Sequence, residues 1–417
     1  MNGKYDVIVC GGGFAGTAAA VAAARNGMKV LIIEKSGFLG GAAGNCQVNP
    51  FMPYYTKING KRTDLSAGIF AEITKQLSAL GGLHKNGGTF NEEILKLVLD
   101  RMTSDKDVTV LFHSYITEVV KEDGKICAVS CANKSGIQTF YADFFIDATG
   151  DADVAALAGC PFRVGRDGDN LCQPMTLCFR LANVDVDKVF STHKEINDVY
   201  RMKLESGELK NPREDVLYMR HMANDILHLN STRVIRKSPV DAFDLSDAER
   251  EAREQVFELY TLLKENCEGF ENAVLLASGP EIGVRESRMI DGLYMLTADD
   301  LKACTKFEDG IAACNYDIDI HNPDGSGTSH YYFAEGTYYT VPYRCLVPRK
   351  ADNLLVAGRC ISGTHEAQAS YRIMPVCCTL GEAAGTAAAI ALENGGSAAG
   401  VDTEKLRNLL KQNGAFI

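Results

Sequence analysis

The chain has 417 residues, 46% of them hydrophobic, and a formal net charge of −11 from 43 basic and 54 acidic side chains. That apolar content excludes a disordered chain, the length calls for two domains, and no uninterrupted apolar stretch reaches the roughly 18 residues of a membrane span. No cluster of five or more Lys and Arg occurs, which argues against a nucleic-acid partner.

Residues 5–10 form an apolar run of strand length, and Gly11, Gly13 and Gly16 follow at G-x-G-x-x-G spacing where a helix over 15–26 is expected to begin. Gly11 permits the turn, Gly13 lets a diphosphate approach the backbone, Gly16 lets the helix lie close on the strand, and Gly27 closes the helix. A second strand, 29–33, ends in Glu34, whose carboxylate suits the two ribose hydroxyls of an adenosine and repels a 2′-phosphate. A dinucleotide site for FAD or NAD, rather than NADP, is the expectation. Lys35 and the pair Gly40-Gly41 continue where an NAD-dependent dehydrogenase would enter its next helix, which favours FAD.

Cys46 follows that glycine pair without a second cysteine in the next 80 residues, so disulfide-reductase chemistry lacks its dithiol and a packed free thiol is expected. No C-x-x-C occurs among the 14 cysteines, so no metal site is expected. Cysteines scattered through apolar segments suit a reducing compartment, and a strand only a few residues from the N-terminus leaves no room for a signal peptide; a cytoplasmic protein is expected.

Helices are expected over 66–81 and 91–104, and a β-meander over 108–146 with turns at Asp123-Gly124 and Ser135-Gly136. Ile116 and Val119 would pass near the adenine. The strand over 141–147 runs into Ala148, Thr149, Gly150 and Asp151. Between 160 and 340 polar helices replace alanine-rich ones, as in a substrate domain. There Ser246 with Glu249 reads as a capping box opening a helix to Glu265, and 322–329 as a turn-rich loop that either covers the active site or is plain surface. An apolar strand at 353–357 leads to Gly358-Arg359, and Pro375 opens a long helix to about 392.

Three segments, ATGDADVAALAG at 148–159, IGVRESR at 282–288 and NLLVAGRCISGTHEAQASYRIMPVCCTLGEAAGTAAAIAL at 353–392, carry a resemblance. With the glycine motif, the chain resembles flavoproteins of the glutathione reductase (two-dinucleotide-binding-type) superfamily, and more closely the FAD-dependent oxidoreductase family. The resemblance implies FAD as cofactor and an α/β fold: a Rossmann-like, three-layer FAD-binding domain with a parallel sheet and β-meander, and an inserted α+β substrate domain. The expected boundaries are 1–159, 160–340 and 341–417.

It further implies that Gly11, Gly13, Phe14, Ala15, Gly16, Glu34, Lys35, Gly40, Gly41, Ile116, Thr149, Gly150 and Asp151 hold FAD with Gly358, Arg359, Met374, Pro375 and Val376. The superfamily ends the late strand with Gly-Asp, so Arg359 is a departure, assigned to phosphate or flavin contact. Met374, Pro375 and Val376 would set a helix N-terminus under the flavin edge where negative charge develops on hydride uptake. His365 is the first choice for proton transfer, although a flavin hydrogen bond would serve it equally, and Tyr371, in the same segment, is a further catalytic candidate. Arg372, with Arg285 and Arg288, could clamp a substrate carboxylate or phosphate, or be held structurally by Glu286 or a nearby acid.

Only one nucleotide motif is visible. Electrons therefore come from, or leave to, a small-molecule substrate, a diffusing carrier or oxygen, and the electron partner stays unnamed. Three functions stay open: oxidation of a C–H bond in a small polar substrate, reduction of an activated C=C bond, and service as an electron-transfer subunit. A homo-oligomer stays open as well.

Overall fold

The computed structural model describes residues 4–104 and 106–417. Strand β1 (Tyr5–Cys10), helix α1 (Phe14–Arg25) and strand β2 (Val30–Ile33) make the expected β-α-β unit, with Val7 beside Val30 and Cys10 beside Ile33. Alternation along β1 serves both faces of the sheet: Val7 and Val9 enter the core with α1, while Ile8 and Cys10 enter a second cluster on the other side.

The single turn α2 (Ala42–Asn45), the hairpin β3 (Tyr55–Ile58) and β4 (Lys61–Asp64), and helices α3 (Ile69–Ala79) and α4 (Glu92–Met102) follow. Asn91 caps α4 by accepting from the N–H groups of Glu93 and Ile94 at 3.0 and 3.1 Å, with Glu92 and Glu93 at the positive end of the helix.

Strand β5 (Val108–Leu111) joins the sheet in parallel beside β2, and β6 (Tyr115–Glu122), β7 (Lys125–Asn133) and β8 (Gly136–Asp147) form the meander. The sequence separates this meander from the strand that ends in Ala-Thr-Gly. They are one strand: β8 pairs antiparallel with β7 through Tyr141, then parallel with β1 from Ala142 to Asp147. Its 12 residues suffice for both partners.

Helix α5 (Asp153–Leu157) and strand β9 (Phe162–Val164) lead to a second layer. It comprises β10 (Phe179–Ala182), α6 (Val186–Ser191), α7 (His193–Glu205), β11 (Tyr218–Arg220), β12 (Leu227–Leu229), α8 (Ala242–Asn266) and β13 (Val274–Ser278). The antiparallel order is β11-β12-β10-β13, and residues from Met175 to Ile282 share a hydrophobic cluster of their own. The capping box expected at Ser246 is absent. Asp241 caps α8 instead, accepting from Phe243 and Asp244, because the helix begins earlier; Ser246 lies inside it, donating its hydroxyl to the Ala242 carbonyl at 2.6 Å.

Strand β14 (Arg288–Ile290) pairs with β9, and α9 (Ala298–Lys302), β15 (Gly310–Cys314), β16 (Ile318–His321), β17 (Thr328–Tyr331) and β18 (Tyr339–Pro342) come next. Apolar residues from Leu296 to Tyr339 pack into the core of the first layer, not with the second cluster. The loop at 322–327 is the tip of the β16–β17 hairpin, pinned by Arg233 through the carbonyls of Gly325 and Gly327 at 3.2 and 3.0 Å.

Strand β19 (Leu354–Val356) sets Leu354 beside Phe145, completing a parallel order β5-β2-β1-β8-β19. Helices α10 (His365–Tyr371), α11 (Met374–Glu393) and α12 (Thr403–Gln412) end the chain. The segment after Cys360 contains α10, capped by the Thr364 hydroxyl accepting from Ala367 N–H at 3.2 Å. Helix α11 is apolar and long enough to cross a membrane, yet 94% of its apolar window is buried in the fold. A methyl group on Gly381 or Gly385 would lie 2.0 Å from the carbonyl oxygen of Ala15 or Ala19, so α11 and α1 touch backbone to backbone.

Candidate active site

All five parallel strands end at one edge of the sheet, where ligands of such folds bind. Three adjoining cavities run along that edge, of about 250, 420 and 150 Å³.

The middle cavity is built by the glycine turn. Gly11 has φ +95°, and a Cβ on it would meet the Ala148 carbonyl oxygen at 2.4 Å, so β1 and the Ala-Thr-Gly turn close on each other only through glycine. Gly16 lies beneath the turn instead of lining it, since a Cβ there would sit 1.8 Å from Gly11 O. Gly13, Phe14, Ala15, Gly40 and Gly41 line the cavity with Thr149, Gly150, Asp151 and Gly358. No side chain caps α1, which leaves its first-turn N–H groups to a phosphate.

Glu34 lines the middle and the outer cavity, its carboxylate accepting from the N–H of Gly12 at 2.5 Å and of Ser36 at 2.8 Å. Each oxygen keeps a lone pair for a ribose hydroxyl. Lys35 pairs with Glu281 at 2.8 Å across the cavity. Ile116, at the start of β6, lines the outer cavity beside Ser114 and Tyr115; Val119 packs behind it against the core.

Arg359 lies against the Gly150 backbone, pairs with Asp151 at 2.7 Å, and keeps a buried Nε without a partner. Burial works against ionisation of Asp151, but Arg359 and the Ser287 hydroxyl outweigh it and hold this carboxyl below its ordinary range. At the far end Met374 lines both the middle and the inner cavity, and no side chain caps α11. Pro375 and Val376 are buried behind it, and Cys377 reaches the cavity in their place. Cys46 lines the middle cavity as a buried thiol, pushed up to about 12 mainly by desolvation and directed at the Ile282 carbonyl at 3.6 Å.

This edge suits a flavin dinucleotide: an uncapped helix start for the diphosphate, an acid at the end of β2 for the ribose, and a second uncapped helix start at the far end for the ring. Gly13, Phe14, Ala15, Glu34 and Arg359 would hold it.

The proposed catalytic residues divide. Arg285 and Arg372 line the inner cavity with Tyr316, Asp319, His321, Asn230 and Thr176. Arg288 faces the outer cavity, where it pairs with Asp153 at 2.8 Å and donates to the Asp151 carbonyl at 3.1 Å. His365 lines none of the three cavities; it is buried, with Nδ1 at 2.8 Å from both oxygens of the fully buried Glu286. Tyr371 is a core residue whose hydroxyl donates to the Ile361 carbonyl at 3.1 Å. Glu286 therefore holds His365 and not the arginines, and accepts from Gln173 N–H at 2.8 Å.

The inner cavity carries its own polar network. Asp319 Oδ2 accepts from Tyr316 Oη at 3.1 Å and from Arg372 Nη2 at 3.3 Å, and lies 3.4 Å from His321 Nε2. His321 Nδ1 faces Arg233 Nη2 at 3.1 Å, which places the ring proton on Nε2, toward Asp319. Burial and the nearby Arg285 lower His321 to about 3, so the imidazole is neutral. Burial opposes ionisation of Asp319, but its hydrogen bond to His321 and the charges of Arg372 and Arg285 hold it far below the usual carboxylate range. Sequence reading missed Tyr316, Asp319 and His321. The signal was the alternation in DIDIH at 317–321, three polar residues on one face of a short strand.

A sequence profile of the family described as FAD dependent oxidoreductase matches residues 6–410, and the chain belongs to that family. It is an enzyme of oxidoreductase chemistry with FAD as its cofactor. Among curated proteins it is 26% identical over 165 residues to the digeranylgeranylglycerophospholipid reductase of Sulfolobus acidocaldarius, covering 35% of this chain and 34% of that protein. It is 31% identical over 169 residues to protein FixC of Azorhizobium caulinodans, covering 36% and 38%. The matched segments thus span little more than a third of these relatives. A geranylgeranyl bacteriochlorophyll reductase-like structure from Thermoplasma acidophilum superimposes with a TM-score of 0.46 at 13% identity, covering 98% of this chain and 83% of that one.

Proposed function

We propose that the enzyme transfers hydride between a small polar organic substrate in the inner cavity and the flavin N5. The observation that carries this reading is the wall the inner cavity shares with the middle one, formed by Ala42, Val284, Arg359, Arg372 and Met374. A substrate there lies within reach of the uncapped start of α11. Bound FAD supplies the two-electron acceptor or donor.

The protein's own work is positioning and proton handling. Arg285 and Arg372 fix the substrate, and Met374 with the surrounding apolar wall excludes water from the meeting point. The proton nearest the substrate is held on Tyr316 Oη, whose hydrogen bond Asp319 Oδ2 accepts at 3.1 Å, with neutral His321 orienting Asp319 from behind.

The small, arginine-lined inner cavity speaks against the isoprenoid lipid in the name of the archaeal reductase.

Anaerobic spectrophotometry of the purified yellow protein tests the reading. A polar donor should bleach the flavin band in one phase, or the dithionite-reduced enzyme should be reoxidised by an activated alkene. A protein that takes up FAD but responds to neither across a metabolite library would refute it.

A further inference from the structure

The inner cavity contains more positive charge than its own residues balance. Besides Tyr316 and Cys178, its ionisable lining comprises Arg285, Arg359, Arg372, Asp319 and His321. Arg359 is matched by Asp151 at 2.7 Å and Arg372 by Asp319 at 3.3 Å, while His321 is neutral. Arg285 is left. Its guanidinium donates to the Pro174 carbonyl at 2.7 Å, to the Thr176 hydroxyl, and to Asn230 Oδ1 at 3.4 Å; among the described residues it meets no carboxylate.

The arginines behind this lining are already paired. Arg233 faces Glu214 at 3.3 Å and Arg213 faces Asp215 at 3.0 Å, while Asp317, outside the lining, lies against the His330 imidazole at 2.5 Å. An unpaired guanidinium in such a site is costly, and its lowered proton affinity reflects that cost. Arg372 adds a second open position: its Nε is buried without a partner, although its Nη2 reaches Asp319.

From these observations we infer that the substrate is a small organic monoanion, a carboxylate, which binds Arg285 and the free Nε edge of Arg372 and supplies the charge the cavity lacks. The inference rests on the hydride-transfer reading and names its substrate class. Carboxylate is favoured over phosphate because one positive charge is unmatched, not two. A cavity of about 150 Å³ limits the ligand to a few carbon atoms beside the carboxylate. The remaining polar lining, Tyr316 and Asn230, is available to an oxygen or nitrogen substituent on the neighbouring carbon.

The test uses the oxidised, FAD-loaded protein without turnover. Propionate, propionamide and inorganic phosphate are titrated by calorimetry and by the shift of the flavin absorbance band. Saturable binding of propionate is expected, with propionamide weaker by about tenfold or more, as the loss of a charge-assisted hydrogen bond implies. Phosphate above its second pKa should bind more weakly than propionate. Arg285→Gln should weaken propionate by a similar factor while FAD stays bound, and Arg285→Lys should recover part of the loss. Should Arg285→Gln fail to fold, the wild-type panel and Arg285→Lys decide alone.

Equal binding of propionate and propionamide, no saturable binding of propionate, or unchanged affinity in Arg285→Gln would overturn the inference; tighter phosphate would replace carboxylate with a dianion and overturn it too. An enzyme bleached by an uncharged donor yet indifferent to propionate loses only this inference. One that binds propionate but exchanges electrons with nothing loses the hydride-transfer reading instead.

Discussion

Asp319 is the residue on which the inner cavity turns, because among the described residues it is the only carboxylate facing it and it touches three different side chains there. Replacing it by asparagine keeps the volume but removes the charge that holds Arg372 and accepts the Tyr316 hydrogen bond. Asp319→Asn should therefore retain FAD with an unchanged visible spectrum and slow stopped-flow flavin reduction by about tenfold, as the loss of a charge-assisted hydrogen bond implies. Reduction at the wild-type rate would remove Asp319 from the positioning of the substrate. The difference between His365 and His321 shows what sequence alone leaves open. An imidazole between flavin-contact segments looks catalytic, but whether it meets Glu286 or a cavity depends on a partner 79 positions away. Gly11 and Gly16 were legible for the opposite reason, since their constraint is steric and lies within one turn.

At the scale of elements, the contact between α1 and α11 joins the two ends of the cofactor domain. Gly385→Ala would force a methyl group against the Ala19 carbonyl oxygen, a separation of 2.0 Å that the helices must relieve by moving apart. Overpacking of this kind costs roughly 1–3 kcal/mol, to be read as a lower chemical-denaturation midpoint without loss of helix signal. The same helix carries Glu382, buried and accepting from Ile69 N–H at 2.9 Å, with its carboxyl raised by desolvation from an ordinary 4.5 to about 7. Between those values the folded protein holds a proton that the unfolded chain has lost. This group's contribution is complete below 4.5 and disappears as pH rises through about 7, on the order of 3 kcal/mol in all. Glu382→Gln should flatten the fall in melting temperature across that window, and an identical pH profile in both proteins would dismiss the assignment. Helix and strand identities along this domain followed from periodicity and glycine spacing, whereas the fusion of meander and Ala-Thr-Gly strand into β8 did not. A single strand changing neighbours at Tyr141 leaves no mark in local pattern.

For the whole molecule, the cofactor edge is where distant parts of the chain converge. The middle cavity takes residues from the glycine turn, from Ala148–Asp151, from Pro239 to Glu249, from Glu281 to Val284 and from Ala357 to Cys377. Pro239, Leu245 and Glu249 come from the start of α8 and the residues before it, and so belong to the second layer, whose hydrophobic cluster is otherwise separate. Glu249 accepts from Ile282 N–H at 2.7 Å, a hydrogen bond within the second layer beside a region that FAD would fill. Such convergence is invisible in sequence because each contributor is ordinary in its own neighbourhood. Its consequence is that FAD should act as a structural ligand between layers as well as a redox group. At a free concentration about a hundredfold above its dissociation constant it would add about 2.7 kcal/mol to stability. Removing it should lower the melting temperature and raise hydrogen exchange at 148–151, 239–249 and 281–284, leaving the interior of α11 and the second hydrophobic cluster protected. Calorimetry with exchange mass spectrometry on the apo-protein, before and after FAD is restored, separates the outcomes: matching exchange at those three segments would mean that the layers hold together without the dinucleotide.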